Sequence, residues 1–355
     1  MSADMTTDET TRPAWPTGVA TAVGSMPGVD PTEACRIVFG ELSSLPHLPE
    51  LPARGVGADM IGRTGGLLVD LAVEVVPSAY RVTARPGHDH RRAVDLMRRD
   101  LDALQETADG TGAKPAAVKV QVVGPWTLTA EIELANGHRA LTDSGALREF
   151  TESLSEGLAA HVAEVAARVG APVVVQLDEP TLPAVLAGSL PTPSGFGRVS
   201  AVPEPDARAT LDTVISAARK ATGQPVIVHC CANRPPIGLL RQAGADAVSF
   251  DATLLRDDTP VAVWDELGEA WQDGLTFFLG LVPGVDPANP LTLRAAADPA
   301  LKLVDRLGFA RTKLAEAAVP TPCCGLAGAT TAWARRALKL VSDLGESFVE
   351  PPESW

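Results

Sequence analysis

Five cysteines stand at positions 35, 230, 231, 323 and 324, four of them in two adjacent pairs. An odd number in adjacent pairs makes a poor disulfide framework, and clustered thiols in a reducing compartment point to metal binding or catalysis. The apolar run 226–228 leads straight into His229-Cys230-Cys231. Side chains of a strand alternate, so His229 and Cys231 share a face and Cys230 turns away. A His and a Cys two apart both reach one zinc ion at roughly 2.0–2.3 Å. Asp251, at the end of the next apolar run, offers a third ligand and Cys324 a fourth. Zinc suits thiolate and imidazole, and it exchanges a weak carboxylate for an incoming group. A thiol bound to zinc loses its proton near neutral pH, which makes a sulfur nucleophile without a general base. Cys35 reads as a small apolar filler on a helix, and Cys230 and Cys323 as packing residues.

These residues need elements that end at a common place. Apolar runs rich in Val, Ile and Leu alternate with amphipathic stretches along the chain. Strands are predicted over 19–23, 117–123, 172–177, 225–228, 247–250, 275–281 and 318–321. Helices are predicted over 31–42, 88–108, 144–169, 205–221, 236–243, 261–270, 291–307 and 330–344. Asp30 followed by Pro31 is an N-cap with proline at the first helical position. The proline- and glycine-rich stretch 43–66 reads as loop. Runs with little polar alternation indicate a parallel sheet buried on both faces. Roughly eight strand–helix units favour a closed (β/α)8 TIM barrel over an open doubly wound sheet. Residues 1–17 read as a disordered tail and 18–350 as a single barrel domain. In such a barrel the strand C-termini carry the chemistry. Ser25, Trp126, Asp178, His229, Asp251 and Cys324 all fall at such ends.

The chain has 355 residues, 45% hydrophobic and 21% charged, as a globular protein does. Its formal net charge of −14 argues against nucleic acid and anionic membrane as partners. No apolar run is long enough to cross a membrane, and the polar, acidic start lacks the features of a secretory signal. A cytoplasmic location is expected.

Six segments carry a family resemblance, in this order: Gly24-Ser25-Met26-Pro27, Gly124-Pro125-Trp126-Thr127, Gln176-Leu177-Asp178-Glu179-Pro180, His229-Cys230-Cys231, the run 245–251 ending in Asp251, and Pro322-Cys323-Cys324-Gly325-Leu326. Together they resemble the catalytic domain of cobalamin-independent methionine synthase, over about residues 19–340. The resemblance implies a zinc-containing (β/α)8 barrel that moves a methyl group to homocysteine, making methionine. It implies His229, Cys231, Asp251 and Cys324 as zinc ligands, with Asp251 standing where the family usually has Glu. It implies that Ser25 touches the homocysteine carboxylate and Asp178 its ammonium. The family's second acid for the amine has Glu50 and Asp59 as candidates. A His that helps protonate the departing folate nitrogen has no counterpart in 281–290; Asp286 takes that catalytic place, and the donor is methyltetrahydrofolate or a methylated corrinoid protein. Trp126 is a candidate ring for stacking on the donor. Basic residues between Arg54 and Arg92 read either as a lining of the barrel mouth or as a solvated helix face.

Three other readings stay open. The chain is an alkyltransferase for another small thiol of the coenzyme M type, a non-catalytic zinc-binding accessory protein, or a tetrapyrrole decarboxylase on the same barrel. The His-x-Cys and Cys-Gly-Leu elements argue against the last, whose chemistry needs no zinc.

Overall fold

In the computed structural model, residues 15–77, 79–112, 114–192, 195–352 and 355 are described. Among them the elements run, in chain order, α1 (Pro31–Glu41), α2 (Met60–Gly65), β1 (Ala72–Val76), β2 (Ala79–Thr83), α3 (His88–Thr111), β3 (Val118–Val123), α4 (Pro125–Glu131), β4 (Ile132–Glu133), α5 (Ser144–Val169), β5 (Val173–Asp178), α6 (Leu182–Leu186) and α7 (Glu204–Thr222). There follow β6 (Val226–His229), α8 (Ile237–Gln242), β7 (Ala247–Asp251), α9 (Val261–Gln272), β8 (Thr276–Val282), α10 (Leu293–Leu307), α11 (Thr312–Ala317), β9 (Ala318–Pro322) and α12 (Thr331–Val349).

Six of the apolar runs pair in parallel in the order β3-β5-β6-β7-β8-β9. Their register places Asp178 beside His229 and His229 beside Ser249. Two irregular extended segments bridge the gap between β9 and β3. The amide of Thr21 donates to the Pro320 carbonyl at 3.5 Å, and that of Glu50 to Gly24 at 3.1 Å. The amide of Leu48 donates to Lys119 at 2.9 Å, and that of Lys119 to Pro46 at 2.8 Å. The ring of staves therefore closes. The segment at 19–23 is not a ladder strand, and the proline-rich stretch 43–66 contains a stave as well as loop. Pro46, Pro49 and Pro52 withhold the amides that a regular ladder needs.

The interior shows the closure directly. Val19, Leu45, Ala117, Val174, Ile227, Ala247, Phe278 and Val319 form one cluster, one residue from each stave, and Trp15 completes it. The Trp15 ring meets Phe278 edge-on at 5.0 Å between centroids. Residues 1–14 of the expected tail lie outside the described residues, whereas Trp15 belongs to the barrel floor. Two residues along, seven of the eight staves turn polar, with Thr21, His47, Lys119, Gln176, His229, Ser249 and Thr321 all buried, while β8 has Gly280 there. Helices cover the outer face through a second, larger core. A hairpin of β1 and β2, extended by β4, was not among the expected elements. No helix of the described residues is long and apolar enough to cross a membrane.

Candidate active site

His229 is the last residue of β6, and its inward turn follows from strand parity. Its Nδ1 lies 2.9 Å from Asp178 Oδ1. The same oxygen accepts from Gln176 Nε2 at 2.7 Å. A carboxylate only accepts, so Nδ1 carries the proton and, in the neutral imidazole, Nε2 keeps its lone pair. That Nε2 is buried and has no hydrogen-bond partner among the described residues. Behind the pair, Lys119 Nζ donates to the Val23 carbonyl (2.9 Å), Gln121 Oε1 (3.1 Å) and Gln176 Oε1 (2.9 Å). Burial lowers this lysine to about 8, opposed by the nearby charges of Asp178 and Glu50.

The two late thiols meet. Cys231 and Cys324 lie 3.4 Å apart, sulfur to sulfur, although 93 residues separate them in sequence. Two thiols at this distance share a proton and titrate as a pair. Cys324 is lowered to about 6, first by its hydrogen bond with Cys231, against burial, and with help from the Gly325 amide. Cys231 is pushed upward by the same contact and then by burial. Ser25 packs on this turn: its carbonyl accepts from the Leu326 amide at 2.8 Å. Its Oγ fills the space a side chain at Gly325 would need.

Asp251 is held differently from the ligand set in which the sequence placed it. Its Oδ1 accepts from the Thr253 amide at 2.9 Å and the Thr253 hydroxyl at 2.6 Å, closing the turn after β7. Among the described residues no three His, Cys, Asp or Glu side chains form a metal-binding group. Instead they fall in pairs, Cys231 with Cys324 and His229 with Asp178, while Asp251 is hydrogen-bonded to Thr253 and Cys323. The donor chemistry still fits a soft divalent cation. An imidazole oriented by a carboxylate with an orphaned Nε2, and a thiol pair with one low member, are groups that zinc satisfies.

Glu50 is the acid that the fold brings in. It pairs in a parallel bridge with Ser25 and is 7% exposed. Burial raises it to about 7; Arg63 opposes that and Asp178 adds to it. Asp59 is committed elsewhere, capping α2 through the Gly62 amide at 2.9 Å and accepting from the Tyr80 hydroxyl.

Two expected site residues are placed otherwise. Trp126 is 1% exposed, and its Nε1 donates to the Ala207 carbonyl in α7 at 3.0 Å, so the indole is packing among helices rather than a platform for a ligand. Asp286 is an exposed carboxylate that accepts from the Thr330 amide (2.8 Å) and hydroxyl (2.7 Å). Those bonds hold it below the usual carboxylate range, so it is ionised at neutral pH and has no proton to give. The sequence reading gave no role to Lys119, Gln121 or Gln176. Their signal was visible: polar residues at every second position inside otherwise apolar strands. It also passed over Glu179, which accepts from the amides of Trp126 (2.9 Å) and Thr127 (2.8 Å) at the start of α4.

The sequence matches the family described as the catalytic domain of cobalamin-independent synthase over residues 15–347. The chain belongs to this family. It is accordingly an enzyme of the methyltransferase type that cobalamin-independent methionine synthases represent. No curated protein matches it. Its fold is similar to a B12-independent methionine synthase from Shewanella sp. W3-18-1 solved with selenomethionine, at 13% identity and a TM-score of 0.58, covering 94% of this chain and 98% of that one. A methyltransferase from Methanosarcina mazei is similar at 15% identity and a TM-score of 0.54, covering 94% of each chain. A putative vitamin-B12 independent methionine synthase from Listeria monocytogenes is similar at 15% and 0.51, covering 93% and 98%. At such identities these structures support the cobalamin-independent synthase fold, a (β/α)8-type barrel, and nothing finer.

Proposed function

We propose that this synthase-family chain methylates the thiol of homocysteine to give methionine, with zinc held by His229, Cys231 and Cys324. The observation that carries the reading is the thiol pair of Cys231 and Cys324 at the barrel end where His229 keeps an unpartnered Nε2. Zinc bound there would lower the substrate thiol's pKa and keep it as thiolate. The chain's own groups do the rest. Asp178 Oδ1 is used by His229 and Gln176, which leaves Oδ2 for an ammonium. Glu50, which burial and Asp178 hold near its protonation point, is a second carboxylate that an ammonium would satisfy. Ser25, packed on Gly325, serves the substrate carboxylate. Asp251 enters the ligand set only by giving up Thr253, so it is the exchangeable fourth partner. The selenomethionine in the Shewanella protein supports a methionine-like product here.

The donor is a methylated corrinoid or methyltetrahydrofolate. Asp286 is held ionised, and a leaving group that departs without a proton suits this better than a folate nitrogen. The test is to measure bound zinc and methyl transfer from each donor to homocysteine and to an amine-free thiol. Homocysteine should be strongly preferred. Asp178→Asn should raise its KM about 10–100-fold, the worth of a charged hydrogen bond, beyond the smaller loss that both thiols share through His229. Full turnover by metal-free protein, or equal use of both thiols, would overturn the reading. Zinc binding without turnover of any donor would instead identify an accessory protein.

A further inference from the structure

The polar layer inside the barrel forms a chain of hydrogen bonds whose direction is fixed at one end. An ammonium has three donors and no acceptor. Lys119 is fully buried and uses its donors on Val23, Gln121 and Gln176. The Gln176 amide must therefore turn its oxygen to Lys119. Its nitrogen then faces two acceptors, the Val23 carbonyl at 2.9 Å and Asp178 Oδ1 at 2.7 Å. Asp178 in turn can only accept from His229 Nδ1. With its oxygen on Lys119, Gln176 must present its nitrogen to Asp178 and so holds Oδ1 against His229; that acceptor decides which nitrogen of a neutral imidazole is bare. Gln121 extends the same logic to the other side. Its oxygen takes Lys119 and its nitrogen donates to the Leu48 carbonyl at 2.5 Å, two residues before Glu50.

We infer that Lys119, acting through Gln176 and Asp178, is a positioning residue that locks His229 in its Nδ1–H tautomer and so presents Nε2 to the metal. The inference rests on the zinc reading above, but its first test needs no metal. Outer partners of metal-bound histidines change affinity about 10–100-fold when removed, and that is the size of effect assigned here.

The experiment labels the histidine side chains with nitrogen-15 and reads the His229 tautomer by NMR in metal-free protein, identifying its signals with a His229→Gln variant. Wild type should show protonated Nδ1 and bare Nε2; the opposite tautomer would overturn the inference. Lys119→Met removes the donor, and Gln176→Leu cuts the relay while keeping the lysine, so the second decides if the first does not fold. Either should mix the tautomers and raise the zinc dissociation constant about tenfold or more. Asp100→Asn, in the buried cluster with Arg54 and Arg63, is the control for a loss of stability alone, and it should leave tautomer and zinc affinity unchanged. A folded relay variant with the wild-type tautomer and zinc affinity would overturn the inference. A wild type that binds no zinc would count against the proposed function, while the tautomer measurement would still decide this point.

Discussion

At the scale of single residues, strand parity predicted the inward turn of His229 and Cys231 and the outward turn of Cys230, and the structure has Cys230 fully buried. Parity says which face a side chain takes, not which neighbour captures it. Asp251 was therefore legible as a strand-end carboxylate but its bonds to Thr253 were not, and the same holds for Asp286 and Thr330. Metal analysis should separate the candidates: Cys324→Ser is expected to lose zinc, and Asp251→Asn to retain most of it. A further prediction concerns Glu50, which moves from 4.5 in its ordinary state to about 7 in the barrel. The folded chain then holds more protons than the unfolded one between these values. This group's stabilising contribution is complete below the lower value and is lost as pH rises through the upper one. Glu50→Gln should remove that part of the fall in melting temperature between the two, as thermal melts across the range would measure.

At the scale of elements, long apolar runs and helices with clear caps were legible, and six strands and most helices lie where the pattern put them. The two seam segments were harder to read: 19–23 is apolar but keeps only scattered backbone bonds, and prolines interrupt the other. The hairpin of β1 and β2 is half-buried along β2, which blurs the alternation a strand needs to be recognised. The turn after β9 makes its own prediction. A methyl group at Gly325 collides with Ser25 Oγ. Gly325→Ala should cost about 1–3 kcal/mol through overpacking and impair thiol methylation. Adding Ser25→Gly opens the space, so the double variant should recover stability but not homocysteine binding. Denaturant melts and KM values on the four proteins close the cycle.

On the whole molecule, the two ends of the barrel have separate duties. The floor is apolar and plugged by Trp15 against Phe278, while the polar interior and the thiol turn lie toward the other end. Trp15→Ala is expected to cost about 3–5 kcal/mol as a buried aromatic truncation, with zinc content and KM unchanged in the folded protein. Calorimetry paired with metal analysis checks both halves of that statement. The seam also divides the mouth by how its backbone is paired. Ser25 and Glu50 ride on the two irregular staves, whereas Asp178 and His229 end regular ladders. One half of the rim is thus carried on continuous strand pairing, and the other on single backbone bridges between neighbouring staves.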